Sequence, residues 1–248
     1  MIPRYLKNVF LISTLLLTAA AFCAEPSAQE FLQRARDPKS ASTYGMFFGV
    51  LQHRRRNQET LEMPIYFGVI IRPESTQGQI IVDRREEYVI RQSRVHGKDG
   101  SSVIYDRKKC VVLDRVGLRA TDLTMSFLYY KLVRELDGAT LNAVVSCRVL
   151  LLESPDDNPG GKEYVKVYLE KEHAFPLKAE FFRDQNDKKP FRLMEANGFT
   201  KKNDLYFART ILVEGPGWRT KVEFDPDYAE LGLYDGNHPV NVFVEIKK

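Results

Sequence analysis

The side chains best suited to metal binding, nucleophilic attack or proton transfer are four histidines, three cysteines and a few clustered carboxylates. His53, His96, His173 and His238 lie far apart along the chain, without the paired-histidine helical spacing that holds zinc. No two cysteines stand at ligand spacing, and there is no Gly-x-Ser-x-Gly elbow or phosphate-binding glycine loop. Asp156-Asp157-Asn158 offers oxygens but lacks the periodic spacing and distal glutamate of a calcium loop, so it reads as a hairpin loop. Asp83-Arg84-Arg85-Glu86-Glu87 reads as a solvated turn of mixed charge. Arg54-Arg55-Arg56 could touch anionic lipid head groups or nucleic acid, but a solvated turn at a strand end explains it more simply. No catalytic residue, metal or cofactor is expected, and the chain is not read as an enzyme.

The chemistry therefore has to be sought in apolar surface. Leu118 to Leu132 opens with Thr121-Asp122, a good side-chain cap, and then repeats Leu123, Phe127 and Tyr130 at helical spacing. Met125, Leu128, Tyr129 and Leu132 widen the stripe. This predicts a helix of about three turns, apolar around much of its girth, that must be covered on more than one side. Two readings follow. The segment is either a core plug or a lid facing a cavity that an acyl chain can occupy.

The N-terminus has the form of a leader for export. Arg4 and Lys7 precede an uncharged run, Val9 to Phe22, that is shorter than the roughly 20 residues needed to span a bilayer. Small residues follow, which places cleavage after Cys23 or Ala24. Lipidation of Cys23 is not expected, because Ala20 and Phe22 stand where that signal wants a leucine and a small residue. Loss of the leader lowers the formal net charge from +4 to about +2, too balanced to neutralise nucleic-acid phosphates. Cys110 and Cys147 then remain. A bridge between them, contributing about 3–4 kcal/mol in the chain-entropy model, and two buried thiols both fit.

The rest of the chain reads as strands. Ser27 to Arg36 is a short amphipathic helix with Phe31, Leu32 and Ala35 inward, stopped by Asp37-Pro38. Strands are expected at Tyr44 to His53 (with Phe47), Ile65 to Arg72, Gln79 to Asp83, Glu87 to Arg94, Ser102 to Tyr105 and Lys109 to Leu113. After the central helix they resume at Ala143 to Glu153, Tyr164 to Lys171, Pro176 to Arg183, Arg192 to Phe199, Leu205 to Val213 and Arg219 to Phe224. Val240 to Ile246 is a last candidate. With no helix between strands before Thr121, the pattern argues an antiparallel sheet joined by hairpins rather than βαβ units. Residues 1–24 are a leader and 25–248 a single domain.

In its order of elements the chain resembles the LolA/LolB-like superfamily, and more closely its uncharacterised outer-membrane lipoprotein-sorting-like branch. Three signatures between Tyr44 and Phe224 carry the resemblance: Thr121-Asp122-Leu123-Thr124 followed by Phe127-Leu128-Tyr129-Tyr130; the strand Ser146-Cys147-Arg148-Val149-Leu150-Leu151-Leu152; and the hairpin from Tyr164 to Phe182. The segment after Pro226 departs from it. The resemblance implies a mainly β fold, a strongly curved, unclosed antiparallel β-barrel of about eleven strands with helices covering its concave face. It also implies a periplasmic carrier that shelters acyl chains of lipids or lipoproteins, meets membrane-protein partners transiently and works as a monomer. On that reading Leu123, Met125, Phe127, Leu128, Tyr129, Tyr130, Phe31 and Phe47 line the cavity and its lid. The alternative is an envelope sensor or protein-interaction module on the same fold, without cargo. An apolar hollow of several hundred Å3 would favour the carrier, and a filled barrel the module.

Overall fold

The computed structural model describes residues 25–36, 42–93, 101–106, 109–156, 158, 161–235 and 241–245. The expected leader with Cys23, the Asp37-Pro38 stop, His96, His238 and Asp157 lie outside the described residues.

Among the described residues, thirteen strands form one antiparallel sheet. The first meander comprises β1 (Thr43–Arg55), β2 (Leu61–Ile71), β3 (Ser75–Val82), β4 (Glu86–Ser93) and β5 (Ser101–Ile104). A second contains β6 (Lys131–Leu141), β7 (Val145–Glu153), β8 (Tyr164–Glu170), β9 (Pro176–Phe182), β10 (Arg192–Lys202), β11 (Leu205–Gly215) and β12 (Trp218–Phe224). The meanders join where β1 pairs with β12, Leu51 opposite Val222, and β13 (Glu230–Leu233) extends that seam along the start of β1. The sheet does not close. Its outer strands are β5 and β6, so the chain between them has to cross the open side.

Alternation sends one face of each strand inward, because successive side chains point to opposite faces. Phe47 and Leu51, Ile65 and Phe67, Val165, Val167 and Leu169, Ala179 and Phe181, and Val222 and Phe224 belong to one buried cluster. Phe47 lies within 6 Å, centroid to centroid, of Phe67, Phe207 and Phe224, and is therefore a core residue of the β1–β12 seam.

Several expectations need correction. Lys109 to Leu113 is not a strand, since residues 112–115 form a single helical turn, α2 (Val112–Arg115). Glu86 leaves the solvated run. It is buried, and its carboxylate accepts hydrogen bonds from the Tyr88 hydroxyl (2.7 Å) and the Val112 N–H (2.8 Å), so α2 is tied to β4. β6 was not foreseen, its residues being mostly exposed at an edge and therefore without an apolar alternation to detect. Residues 241–245 are not a strand. They lie against β2 and β3, where Gln79 exchanges two hydrogen bonds with the Val244 backbone and the Tyr66 hydroxyl donates to the Val242 carbonyl. Cys110 and Cys147 are free, buried thiols.

The end of α2 is fixed by a hydrogen-bond chain. Arg55 Nε donates to His53 Nε2 at 3.2 Å, which leaves the imidazole proton on Nδ1, 2.8 Å from Thr220 Oγ1. The Thr220 hydroxyl in turn donates to the Val116 carbonyl. The next residue, Gly117, has φ +69°, and a Cβ there would lie 2.5 Å from the Trp218 ring. Gly117→Ala should therefore cost about 1–3 kcal/mol in urea denaturation, because the methyl group is strained both by its own backbone and by an indole already in place.

The same chain makes a pH prediction. Burial first, then the nearby Arg55 and Arg115, lower the His53 pKa below its ordinary 6.5. Neutral imidazole is thus favoured by folding. Its contribution is complete above the ordinary value and is lost as pH falls through the depressed one. Unfolding midpoints followed from about pH 7 to about pH 5 should fall more steeply for the wild type than for His53→Gln.

Candidate functional site

The segment that bridges β5 and β6 folds as α2, then α3 (Ala120–Leu123), then a 3-10 turn over Ser126–Tyr129. One three-turn helix was expected, and the structure breaks it at Met125, whose φ of +48° is left-handed. The reason is geometric. A continuous helix would spread the wide apolar stripe around its girth, whereas the break lets Leu123, Phe127 and Leu128 all be buried on the sheet side. Phe127 meets Phe181 of β9 edge to face at 5.5 Å between centroids. Met125 and Tyr129 are half-buried and packed on the same cluster. α1 (Ala28–Arg36) lies beside the turn and adds Phe31 and Leu32. Its start is capped reciprocally: the Glu30 N–H donates to Ser27 Oγ, and the Glu30 carboxylate accepts from the Ser27 N–H.

Of the eight residues expected to line a cavity, seven come together here. Phe47 lies on β1 with the seam aromatics instead. The inner rings pack into the concave volume themselves, the arrangement of the core-plug alternative, and a guest would have to take the place of these side chains.

The sequence reading missed what holds this element down. Arg36 is on the buried face of α1, one turn beyond Leu32, and donates to the carbonyls of Leu128 (2.7 Å) and Tyr130 (2.8 Å). The Tyr129 hydroxyl donates back to the Arg36 carbonyl at 3.2 Å. Asp122 caps α3 by accepting the Arg119 N–H (2.7 Å), and the same oxygen is bonded to Arg192 of β10. These two side chains are 3% and 5% exposed, which makes them an ion pair inside the apolar bowl. A second pair lies beside it. Glu163, fully buried, accepts both Arg119 Nη1 (2.7 Å) and Nη2 (3.1 Å) and also the Tyr130 hydroxyl (3.1 Å). Burial, with the Glu163 charge next, pushes the Tyr130 phenol well above its ordinary value, so it stays a donor. At the other end of α1, Arg148 stands over the Phe31 ring, pairs bidentately with Glu135 and donates to the Pro26 carbonyl.

The other sequence candidates do not join this site. A cleft of about 310 Å3 is lined by Arg54, Arg55, Arg56, Arg219, Glu214 and Trp218, at the strand ends. His173 lies at an exposed turn beside Glu170 and Glu172, where the Glu170 carboxylate accepts the N–H groups of both neighbours. Asn158 closes a loop by donating to the Gly161 carbonyl at 2.7 Å.

No family model matches the chain, and no curated protein matches it by sequence. Its fold is matched among solved structures. A DUF1329 family protein from Desulfovibrio piger superposes with a TM-score of 0.60 at 13% identity, over 86% of this chain and 95% of that one. A putative outer membrane lipoprotein-sorting protein domain from Vibrio parahaemolyticus gives 0.58 at 17% identity, over 87% and 94%. A LolA superfamily protein from Nitrosomonas europaea aligns over 89% and 98% at 14% identity, with a TM-score of 0.49.

The buried pair yields a stability prediction. Asp122→Ala strands the Arg192 charge and should cost about 3–5 kcal/mol in denaturant titration, whereas the apolar double variant Asp122→Leu/Arg192→Met should cost only about 1 kcal/mol, that of the lost cap on the Arg119 N–H. The fold on which this pair is built is thus a mainly β, unclosed antiparallel sheet shared with the DUF1329 and lipoprotein-sorting-like structures.

Proposed function

We propose that this chain is a periplasmic carrier that shelters an acyl chain of a lipid or lipoprotein against the concave face of its sheet, with residues 119–130 giving way to the guest. The observation that carries the reading is how the plug is attached. No strand ladder binds it to the sheet; apolar packing, the Arg36 bonds to two plug carbonyls and the two ion pairs do. Such contacts can be exchanged one at a time, while the strands around them keep every backbone bond. The likeness to a lipoprotein-sorting domain agrees with this use of the fold, as does the leader expected at residues 1–24. No helix among the described residues is long and apolar enough to cross a membrane.

An acyl chain gains about 0.8 kcal/mol for each buried CH₂, enough over a dozen or more to compete with the plug's own apolar contacts. Arg36 sets the balance, since it holds the plug from α1. Arg36→Met keeps an unbranched apolar stem and removes both carbonyl bonds. It should raise the open population and tighten binding of a fluorescent fatty-acid probe by about tenfold. Absence of any probe binding, to wild type and variant alike, would refute the carrier reading. The filled interior favours one other reading, a protein-interaction module in which the same segment is permanent core. On that reading Arg36→Met loses stability and gains no affinity for the probe.

A further inference from the structure

Resting on the carrier reading, we propose that Arg192 is the polar anchor for the guest. In this assignment one of the two unmet guanidinium nitrogens, Nε or Nη1, donates to an oxygen of the acyl head, a carboxylate or an ester carbonyl, when a fatty chain occupies the bowl.

The starting point is an imbalance in the interior. Arg192 is 5% exposed and sits in register with Phe181, its guanidinium 4.9 Å from the ring centroid. Strand alternation places it on the same inward face as Met194 and Ala196, which belong to the apolar cluster. One nitrogen, Nη2, donates to Asp122. Nε and Nη1 are buried and have no acceptor. The ion pair accounts for the charge and the stack on Phe181 for the position, but neither uses these donors. Buried donors are almost always met, so this pair marks a place where an acceptor belongs.

The surroundings select its chemistry. Phe181, Phe127 and Met194 offer nothing to a sugar or a nucleotide, and they suit a hydrocarbon. A guest of pure hydrocarbon would still leave the donors unmet, and a cationic head would face a guanidinium. A fatty chain whose first carbon carries an oxygen acceptor suits the apolar wall and supplies an acceptor to one of these donors. Free fatty acid and acyl ester share this chemistry, and their charges tell them apart.

The test is calorimetric titration of the protein with three sixteen-carbon amphiphiles: palmitate, monopalmitoylglycerol and hexadecyltrimethylammonium. Wild type should bind the first two at least about tenfold tighter than the cation, the size of effect expected from charge-assisted bonds. Asp122→Leu/Arg192→Met should bind all three alike. Palmitate ahead of the monoacylglycerol points to a free acid, and equal binding points to the ester carbonyl; either outcome upholds the anchor. Binding of all three by wild type without preference, or a preference that survives in the double variant, would overturn the anchor and leave the carrier reading standing. The donors would then be served by buried water. No binding of any chain would overturn both. Should the double variant fail to fold, Arg192→Lys decides. It keeps the charge but loses the planar donors, and should bind the two oxygen-bearing chains with most of their advantage gone, whereas an unchanged advantage counts against the anchor.

Discussion

Two opposite charges, Asp122 and Arg192, meet in a bowl whose walls are mostly apolar side chains. Removing either from water is expensive, and each is tolerable there only because the other arrives with it. That requirement couples two distant parts of the chain. Arg192 is delivered by β10, deep in the second meander, and Asp122 by the segment crossing from β5 to β6. Arg119 and Glu163 repeat the arrangement alongside. The crossing segment is thus placed by charge as well as by apolar contact.

The open side of the sheet explains why a segment lies there at all. A closed barrel has no unpaired edges, but here β5 and β6 are left apart, and the chain joining them runs over the concave face. Apolar contact with Phe181 and its neighbours favours the seated position. The polar contacts specify one geometry, yet they hold less firmly than a strand ladder. An element that is well packed but attached through side chains is the kind that opens locally while the sheet stays intact.

How much of this could be read from residue order depends on the interaction. Alternation in Tyr164 to Lys171 and Pro176 to Arg183 located β8 and β9 within a residue or two, because inward and outward positions differ sharply there. The apolar stripe from Leu123 to Tyr130 located the plug, but not its break at Met125, since no glycine or proline marks a left-handed residue. β6 escaped because an edge strand has no apolar face to announce it. Of the polar contacts at the site, Asp122 was seen only as a cap. Arg36 and Arg192 were in principle legible, the first by its four-residue spacing from Leu32 and the second by its two-residue spacing from Met194. Their partners lie 92 and 70 positions away respectively, and nothing local points to them. Glu86 shows the opposite hazard, a charged run that looked solvated until α2 turned out to need its carboxylate.

On the carrier proposal, residues 119–130 yield their place to an acyl chain. Amide hydrogen exchange of the protein with and without saturating palmitate tests it most directly. Exchange should accelerate across residues 119–130 in the loaded protein while β7, β8 and β9 remain as protected as before. Unchanged or deeper protection of 119–130 in a protein shown to hold palmitate would place the chain elsewhere and contradict the claim.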